Sequence, residues 1–310
     1  MVRRVLKIAG LVLLALAAIV VLLNWTWGRL PDEPAATGRF AEVDGTKIRY
    51  VEHGGVGAPV VLIHGLPGTA ADFDRVAALL PARRTIALDR PGFGFSDGGY
   101  HAFDRQLRLL HELLDQLGAR RPVLIGHSYG GTIALGYAER YPQDVRGLVL
   151  VDAAAGGMHS NAVERAQSRM VQFLSWPVVQ PIADITFSGA LRKASAKAGD
   201  ERAFDPDPVD PVHEQRLLAF NMQHEDLDAL AGEQLHADDV VARVDDGLAA
   251  LDVPAVVIQG EGDKLVEPEH GRRLAAALPH ARLVMVPGGH MAPYVHPDVV
   301  ASAVRSLLSP

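Results

Sequence analysis

One serine stands between two glycines at the point where an apolar run gives way to a helical pattern. Residues 123–131 contain the pattern Gly-x-Ser-x-Gly, with Ser128 at its centre. Residues 122–125 have the composition of a short buried strand, and the apolar residues that follow the pattern recur at helical spacing. Gly126 and Gly130 lack a Cβ, so strand and helix can approach closely around a strained turn. The pattern therefore predicts a raised serine hydroxyl that attacks an electrophilic carbon.

Two further residues of catalytic type follow predicted strands near the end of the chain. Asp263 follows the apolar run 255–259, and His290 follows the run 282–286 and a Pro-Gly-Gly turn. A serine hydroxyl is a weak nucleophile near neutral pH and needs a base that accepts its proton. A histidine supplies that base, and a carboxylate bonded to the imidazole holds it in the useful tautomer. The three residue types therefore fit acyl transfer by a Ser-His-Asp triad.

These segments resemble the α/β-hydrolase family, and the resemblance covers residues 40–155 and residue 251 to the C-terminus. The chain order Ser128, Asp263, His290 is the order of that family. The resemblance implies an α/β-hydrolase fold, in which a mostly parallel sheet has helices on both faces and carries a helical cap. Two other carboxylates, Asp152 and Glu261, also follow strands and are alternatives to Asp263 as the acid.

A second motif of the family stands at residues 64–68, directly after the buried strand 59–63. His-Gly in this place implies an oxyanion hole formed by the backbone N–H groups of Leu66 and Tyr129. We expect His64 to orient its loop through hydrogen bonds rather than to take part in the chemistry.

Several other polar residues have a structural interpretation. Residues 89–97 match an Asp-x-x-Gly-x-Gly-x-Ser segment of the family, and we expect Asp89 and Arg90 to fix this turn by charged hydrogen bonds. His296 precedes Pro297 and reads as the start of the last helix. Before the sheet proper, residues 40–43 and 47–53 flank an Asp-Gly turn and predict a hairpin.

The alternation of strands and helices stops over residues 156–237, where the family carries its cap. Helical patterns cover residues 162–174, 182–198 and 212–230. Aromatic and Met side chains of this segment could line an acyl pocket or bury the helices against each other: Phe173, Trp176, Phe187, Phe220 and Met222. The core would then comprise residues 39–155 and 238–310.

The first thirty residues differ from the rest. Residues 8–23 are apolar without a charge, Arg3, Arg4 and Lys7 precede them, and two tryptophans follow. With Val5, Leu6 and a snorkelling Lys7 the apolar stretch reaches nearly 20 residues, about the length that spans a bilayer as a helix, and basic flanks stay cytoplasmic. We predict a signal anchor at residues 1–30 that places the catalytic domain outside the cytoplasm. A cleaved signal peptide and a secreted protein are the alternative.

Residues 31–38, rich in Pro, are predicted to be a linker that separates the domain from the membrane.

Composition limits the partners. The formal net charge is −7 and the isoelectric point is near 6.0, so we expect no nucleic-acid partner. The chain has no cysteine, which excludes disulfides and thiol catalysis. Without a His-Glu-x-x-His segment or a similar cluster, neither a metal nor a cofactor is expected.

The expected activity is hydrolysis of a small-molecule carboxylic ester, including monoacylglycerol-type lipids. The chain is similar to haloalkane dehalogenases and epoxide hydrolases in layout, but those branches have an aspartate where Ser128 stands. Hydrolysis of carbon–carbon bonds in vinylogous diketo acids, or of amides or lactones, is the alternative within the family. A catalytically silent, membrane-anchored binding domain is the alternative outside enzymes, although the serine, the histidine and the oxyanion glycines are all present.

Overall fold

The structure is a computed structural model that describes residues 2–32, 34–160, 162–174, 176, 178–221 and 224–309. Its strands are β1 Arg39–Val43, β2 Thr46–His53, β3 Val60–Ile63, β4 Thr85–Leu88, β5 Val123–His127, β6 Gly147–Val151, β7 Ala255–Gly260 and β8 Ala281–Val286. Its helices are α1 Val2–Trp27, α2 Asp74–Ala78, α3 Phe103–Gln116, α4 Tyr129–Arg140, α5 Ala162–Leu174, α6 Gln180–Thr186, α7 Ser188–Phe204, α8 Pro211–Arg216, α9 His224–Gly247, α10 Pro268–Ala277, α11 Ala292–Val295 and α12 Pro297–Leu308.

The strands form one sheet in the order β1-β2-β4-β3-β5-β6-β7-β8. The pairs from β4 to β8 are parallel, and the hairpin β1–β2 joins the edge in antiparallel fashion. Asp44 and Gly45 at its turn have φ of 46° and 69°, as a type I′ turn requires. The predicted hairpin and the predicted mostly parallel sheet are therefore confirmed.

Helices cover both faces of the sheet. Successive residues of a strand point to opposite faces, so Val61 and Ile63 join one core cluster while Val60 and Leu62 join the other. Leucines of α3 pack in the first cluster, which also contains Leu124 of β5. Because every residue of β3, β4, β5, β6 and β7 is buried, the carboxyl ends of these strands are held rigidly against each other.

The helices α5 to α9 lie between β6 and β7, and we call them the cap helices. The single helix predicted for residues 182–198 is wrong, because the non-helical backbone of Phe187 (φ −144°, ψ −12°) separates α6 from α7. The helix predicted for 212–230 is also wrong. It is divided into α8, a π-helical turn at Leu217–Asn221 and the start of α9. Met222 lies outside the described residues.

Helix α9 does not end near residue 237, where the sequence placed the edge of the cap. It continues to Gly247 and binds the segment after β6 on the way. Asp245 accepts hydrogen bonds from the N–H groups of Gly156 and Gly157 at 2.9 and 2.6 Å. Asp238 accepts one from Ser160 at 2.6 Å. The helix thus belongs to cap and core at once, and the division of the chain into these units stays a prediction.

The N-terminal helix α1 is long and apolar enough to cross a membrane, with a mean hydropathy of 2.6 in an 18-residue window within residues 7–27 and little burial. Its C-terminal end lies against α6 and α7. Nδ2 of Asn24 donates to the carbonyl of Asp184 at 2.7 Å, and Gly28 approaches Gly189 so closely that a Cβ on Gly189 would lie 2.2 Å from the Gly28 oxygen. The helix end and the cap are therefore in direct contact, with no spacer between them.

Candidate active site

Ser128 occupies the turn from β5 into α4. Its φ of 52° and ψ of −123° lie in a region that residues with a side chain rarely adopt. A Cβ on Gly126 would lie 2.4 Å from the Gly130 oxygen, and a Cβ on Gly130 would lie 2.2 Å from the Ile63 oxygen. The Gly-x-Ser-x-Gly pattern is thus required by backbone contacts on both sides of the serine, as a nucleophile elbow requires.

His290 and Asp263 are joined by a hydrogen bond. Nδ1 of His290 lies 2.7 Å from Oδ2 of Asp263, and a carboxylate can only accept, so Nδ1 carries the proton. The other oxygen of Asp263 accepts the N–H groups of Leu265 and Val266 at 2.8 and 2.9 Å. Both side chains are buried. The arrangement leaves Nε2 of His290 as the atom that can exchange a proton with a reacting group.

The pKa values of the pair follow from their contact. Burial opposes charge on both groups, but the Asp263 carboxylate outweighs it and raises the pKa of His290 above its usual value. The His290 imidazolium likewise outweighs burial and lowers the pKa of Asp263. The contact between Asp263 and His290 therefore stabilises the protonated imidazole, which is the form of His290 after it has accepted a proton.

The alternative acids are placed differently. Asp152 is fully buried and accepts N–H groups of Gly260 at 2.8 Å and Ala292 at 3.3 Å, and burial raises its pKa to about 8. Glu261 is exposed. Of these three carboxylates, Asp263 is the one that the structure joins to His290 by a hydrogen bond.

His290 is also fixed through its backbone. Nε2 of His127 donates to the carbonyl of His290 at 2.8 Å, and burial lowers the pKa of His127 to about 3, so this ring is neutral. The N–H of His290 donates to the carbonyl of Ala203 at the end of α7, also at 2.8 Å. Neither contact could be predicted from the sequence, because both join residues far apart in the chain.

The loop after β3 lies directly against the elbow. A Cβ on Gly65 would lie 3.0 Å from the Cβ of Ser128, so a side chain there would crowd the serine. Among the described residues, the backbone N–H groups of Leu66 and Tyr129 donate no hydrogen bond to the protein. Tyr129 is the first residue of α4, where the helix dipole favours negative charge. These two donors remain our candidates for an oxyanion hole.

Arg90 holds the same loop from below. Its Nε and Nη2 donate to the carbonyls of His64 and Gly65 at 3.1 and 2.9 Å, and its backbone N–H donates to Nε2 of His64 at 2.8 Å. His64 in turn donates from Nδ1 to the Gly65 carbonyl at 2.9 Å. Burial keeps the pKa of His64 far below its usual range. His64 thus orients the loop by hydrogen bonds, as expected from the sequence.

The charge of Arg90 is paired with Glu233 of α9. The two side chains form a bidentate contact at 2.7 and 2.9 Å, and each is 1% exposed. Nε2 of Gln106 donates to the same carboxylate at 2.7 Å. A cap helix therefore supplies the counter-ion for the arginine that holds the loop of Leu66.

The remaining polar residues of the turn after β4 are structural. The carboxylate of Asp89 accepts the N–H groups of Ala70 and Phe95 at 2.8 and 3.0 Å and pairs with Arg49 at 3.1 Å. The predicted pinning of this turn is confirmed for Asp89, whereas the side chain of Arg90 binds the loop after β3 and Glu233 instead. His296 precedes α12, also as predicted, and its Nε2 donates to the carbonyl of Pro287.

One trio of possible metal ligands occurs at the site. His127, Asp152 and His290 each place a donor atom within 4.8 Å of the others. However, Nε2 of His127 is bonded to a carbonyl, and both oxygens of Asp152 accept backbone N–H groups. These atoms position the His290 loop, which fits a structural role better than metal ligation.

Comparison with known proteins agrees with this geometry. The family described as alpha/beta hydrolase fold matches residues 58–297. The chain is 31% identical to Lipase 1 of Psychrobacter immobilis over 251 residues, which cover 78% of this chain and 74% of that lipase. The chain belongs to the alpha/beta hydrolase family, and it is an enzyme of the hydrolase class.

Two further similarities cover more of the chain. A 2-hydroxy-6-oxononadienedioate/2-hydroxy-6-oxononatrienedioate hydrolase of Klebsiella pneumoniae is 28% identical over 296 residues, which cover 90% of this chain and 98% of that enzyme. The crystal structure of a bacterial membrane phospholipase A matches with a TM-score of 0.66 at 22% identity, over 99% of this chain and 98% of that one. The fold therefore matches along nearly the whole chain, including the region of α1.

Proposed function

We propose that this protein hydrolyses carboxylic esters through an acyl-enzyme, with Ser128 as nucleophile, His290 as base and Asp263 as the acid that orients it. The observation that carries the proposal is the hydrogen bond between Asp263 and His290 beside the strained elbow. As Ser128 Oγ attacks the ester carbonyl carbon, Nε2 of His290 takes its proton and passes it to the leaving alcohol. Water then hydrolyses the acyl-enzyme with His290 as base.

The negative oxygen that forms in each step needs donors that are already in place. The N–H groups of Leu66 and Tyr129 are the candidates, and each donor contributes about 3 kcal/mol in such sites. Arg90 supports this role because it fixes the carbonyls of His64 and Gly65, immediately before Leu66.

An ester is favoured as substrate by the lipase relatives, of which one is 31% identical. Carbon–carbon bond hydrolysis is the second candidate, since a hydrolase named for a nonadienedioate and a nonatrienedioate aligns over 90% of this chain. A diacid needs cationic partners for its carboxylates. Arg192 on the cap helix α7 already pairs with Asp184 at 2.7 Å. The ester is therefore our first choice, and amides and lactones remain alternatives.

We also propose that α1 anchors the chain in a membrane, with the N-terminus cytoplasmic and the catalytic domain outside. The support is the apolar helix, preceded by Arg3, Arg4 and Lys7, and the tryptophans at its far end. Mass spectrometry of the protein extracted from membranes tests this, since the anchored form keeps Arg3 and Arg4. A soluble form that begins after Leu23 would instead show a cleaved signal peptide and a secreted protein.

The proposed chemistry is tested by labelling the full chain with a fluorophosphonate and mapping the modified residue. We expect labelling at Ser128, turnover of short-chain esters, and loss of both in Ser128→Ala. The replacement Ser306→Ala on α12 is the matched control and should keep both activities. Loss of the triad serine should lower turnover by about 10³-fold or more, because no other group supplies the acyl-enzyme.

Other outcomes assign the chain to the alternatives. Labelling at Ser128 without turnover on any ester would favour carbon–carbon, amide or lactone substrates. A folded chain that is not labelled at all would favour the silent binding domain.

The raised pKa of His290 predicts the pH dependence of activity. The base works only when neutral, so kcat/KM for a soluble ester should fall on acidification with a midpoint above the ordinary histidine value of 6.5. Steady-state kinetics across the pH range measure this midpoint, and circular dichroism at each pH separates it from acid unfolding. A midpoint clearly below 6.5 would contradict the dominant effect of Asp263 on His290.

A further inference from the structure

The cap helices expose an unusually apolar surface next to α1. Large side chains on α5, α6 and the turn between them are 48 to 80% exposed, namely Phe173, Trp176, Val178, Ile182 and Ile185. Ile182 and Ile185 are three residues apart and share a helix face, while Ala183 of α6 is buried on the inner side. The rings of Phe173 and Trp176 contact each other with centroids 5.6 Å apart. We call these five residues the cap surface. Monomers seldom leave such surfaces open to water unless they bind a partner.

The cap surface is continuous with the end of α1. Asn24 of α1 is bonded to the carbonyl of Asp184, between Ile182 and Ile185 in the chain. Trp25 and Trp27 at the same end of α1 are 70 and 73% exposed. Tryptophan is enriched at the level of lipid headgroups. If α1 spans the bilayer, the contact through Asn24 holds α6 at the level where the bilayer meets water.

The charge of this segment differs from that of the whole chain. Residues 162–204, which span α5 to α7, contain six basic and four acidic residues, and Arg169 and Lys193 of this segment lie in no salt bridge among the described residues. The complete chain has a formal net charge of −7. An apolar surface with basic neighbours is the composition that binds membranes with anionic lipids.

The inner side of the same helices leads toward the candidate site. Val171 of α5, Leu30 after α1 and Leu66 of the oxyanion loop all pack against one apolar cluster around Phe93 and Leu230. Apolar contacts therefore connect helix α5, the segment after α1 and the loop beside Ser128.

We propose that the cap surface is seated in the lipid interface beside α1, so that the enzyme takes its substrate from the membrane. This inference rests on the proposed membrane anchor, and it specifies lipid esters as the substrate class of the proposed hydrolase. The partner is the bilayer surface itself, since the surface adjoins the exposed tryptophans of the spanning helix.

Fluorescence of Trp176 tests the position of the cap surface. The chain has three tryptophans, so Trp25→Phe with Trp27→Phe leaves Trp176 as the single reporter. The full chain is reconstituted in vesicles of phosphatidylethanolamine and phosphatidylglycerol. We expect blue-shifted emission that brominated lipids quench and iodide does not. The control protein has all three tryptophans replaced by Phe and carries Val56→Trp as its single reporter. Val56 is 77% exposed on the core, so iodide should quench the emission of this new tryptophan.

Kinetics test the delivery of substrate. Ile182→Asp should lower the ratio of turnover on vesicle-borne long-chain ester to turnover on soluble short-chain ester by about tenfold, because an interfacial charge opposes insertion. Val56→Asp introduces the same charge at an exposed apolar position of the core and should leave the ratio unchanged.

The outcomes separate this inference from the proposals on which it rests. If the protein floats with the vesicles but iodide quenches the emission of Trp176, the cap surface is not seated in the lipid interface, whereas the proposed anchor is retained. Shielding from both quenchers means that a second copy or another protein covers the surface, and also overturns it. Failure to float overturns the anchor and the seating together. Quenching by brominated lipid without ester turnover supports the seating and contradicts only the chemistry.

Discussion

Replacing Asp263 by Asn should lower kcat/KM for a soluble ester by about 10³- to 10⁴-fold while the protein stays folded. The oxygen of the new amide can still accept the N–H groups of Leu265 and Val266. Its NH₂ group then faces Nδ1 of His290, where the carboxylate oxygen stood. An NH₂ group donates, so Nδ1 must become the acceptor and the proton moves to Nε2. In that tautomer His290 cannot take the proton of Ser128.

Matched replacements of the other two carboxylates complete this experiment. Glu261→Gln changes an exposed side chain and should leave kcat/KM unchanged. Asp152→Asn alters a buried side chain that binds two N–H groups, so we expect lower stability and less than about a tenfold loss of kcat/KM. Stopped-assay kinetics and thermal unfolding on the same samples give both values. Near-normal turnover in Asp263→Asn with a large loss in Asp152→Asn would move the acid to Asp152.

Replacing Glu233 by Ala should destabilise the protein by about 3–5 kcal/mol, because it leaves the guanidinium of Arg90 buried without its counter-ion. Both side chains are 1% exposed, so bulk solvent does not screen the charge that the substitution leaves unpaired. Arg90 also donates to the carbonyls of His64 and Gly65, and we expect kcat to fall together with stability. Urea unfolding of the full chain in detergent and kcat for a soluble ester measure the two effects.

Two variants show whether the effect belongs to the buried pair. Glu201→Ala on α7 removes an exposed acid that is 3.9 Å from Lys197, and should cost less than about 0.5 kcal/mol. Glu233→Gln keeps the shape of the side chain and one acceptor oxygen, so its cost should lie between the other two. A loss below about 1 kcal/mol in Glu233→Ala would mean that Arg90 does not depend on the cap for its charge balance.

The strained turn at Ser128 and the meeting of Asp263 with His290 could be predicted from sequence because each depends on a local pattern. Gly126 and Gly130 must be glycine for reasons found within five residues of Ser128 and in the adjacent strand. Asp263 and His290 each follow a buried strand, and the carboxyl ends of parallel strands meet at one edge of the sheet. The order of strands along the chain therefore brings them together.

The contacts of the cap could not be predicted in the same way. Arg90 and Glu233 are 143 residues apart, and nothing local marks Glu233 as a buried residue of α9. The break at Phe187 divides two helices that both contact the end of α1, and no helical period records such a contact. The linker at 31–38 was expected to separate the domain from the membrane, but the contact of Asn24 with α6 lies before it. The partner of Arg90, the division between α6 and α7 and the contact of α1 with the cap all involve residues that are distant in sequence.

The hydrogen bond from His290 to the carbonyl of Ala203 has a consequence for protein engineering. A Cβ on Gly289 would lie 2.7 Å from the Ala203 oxygen and 2.4 Å from that of Asp205. The end of α7 therefore packs directly against the backbone of the loop that carries His290. A chimaera that receives the cap helices of a relative therefore also receives a new support for its histidine. Grafting that keeps residues 203–205 with the recipient's His290 loop should preserve the chemistry, whereas exchange of the complete segment alters specificity and rate together.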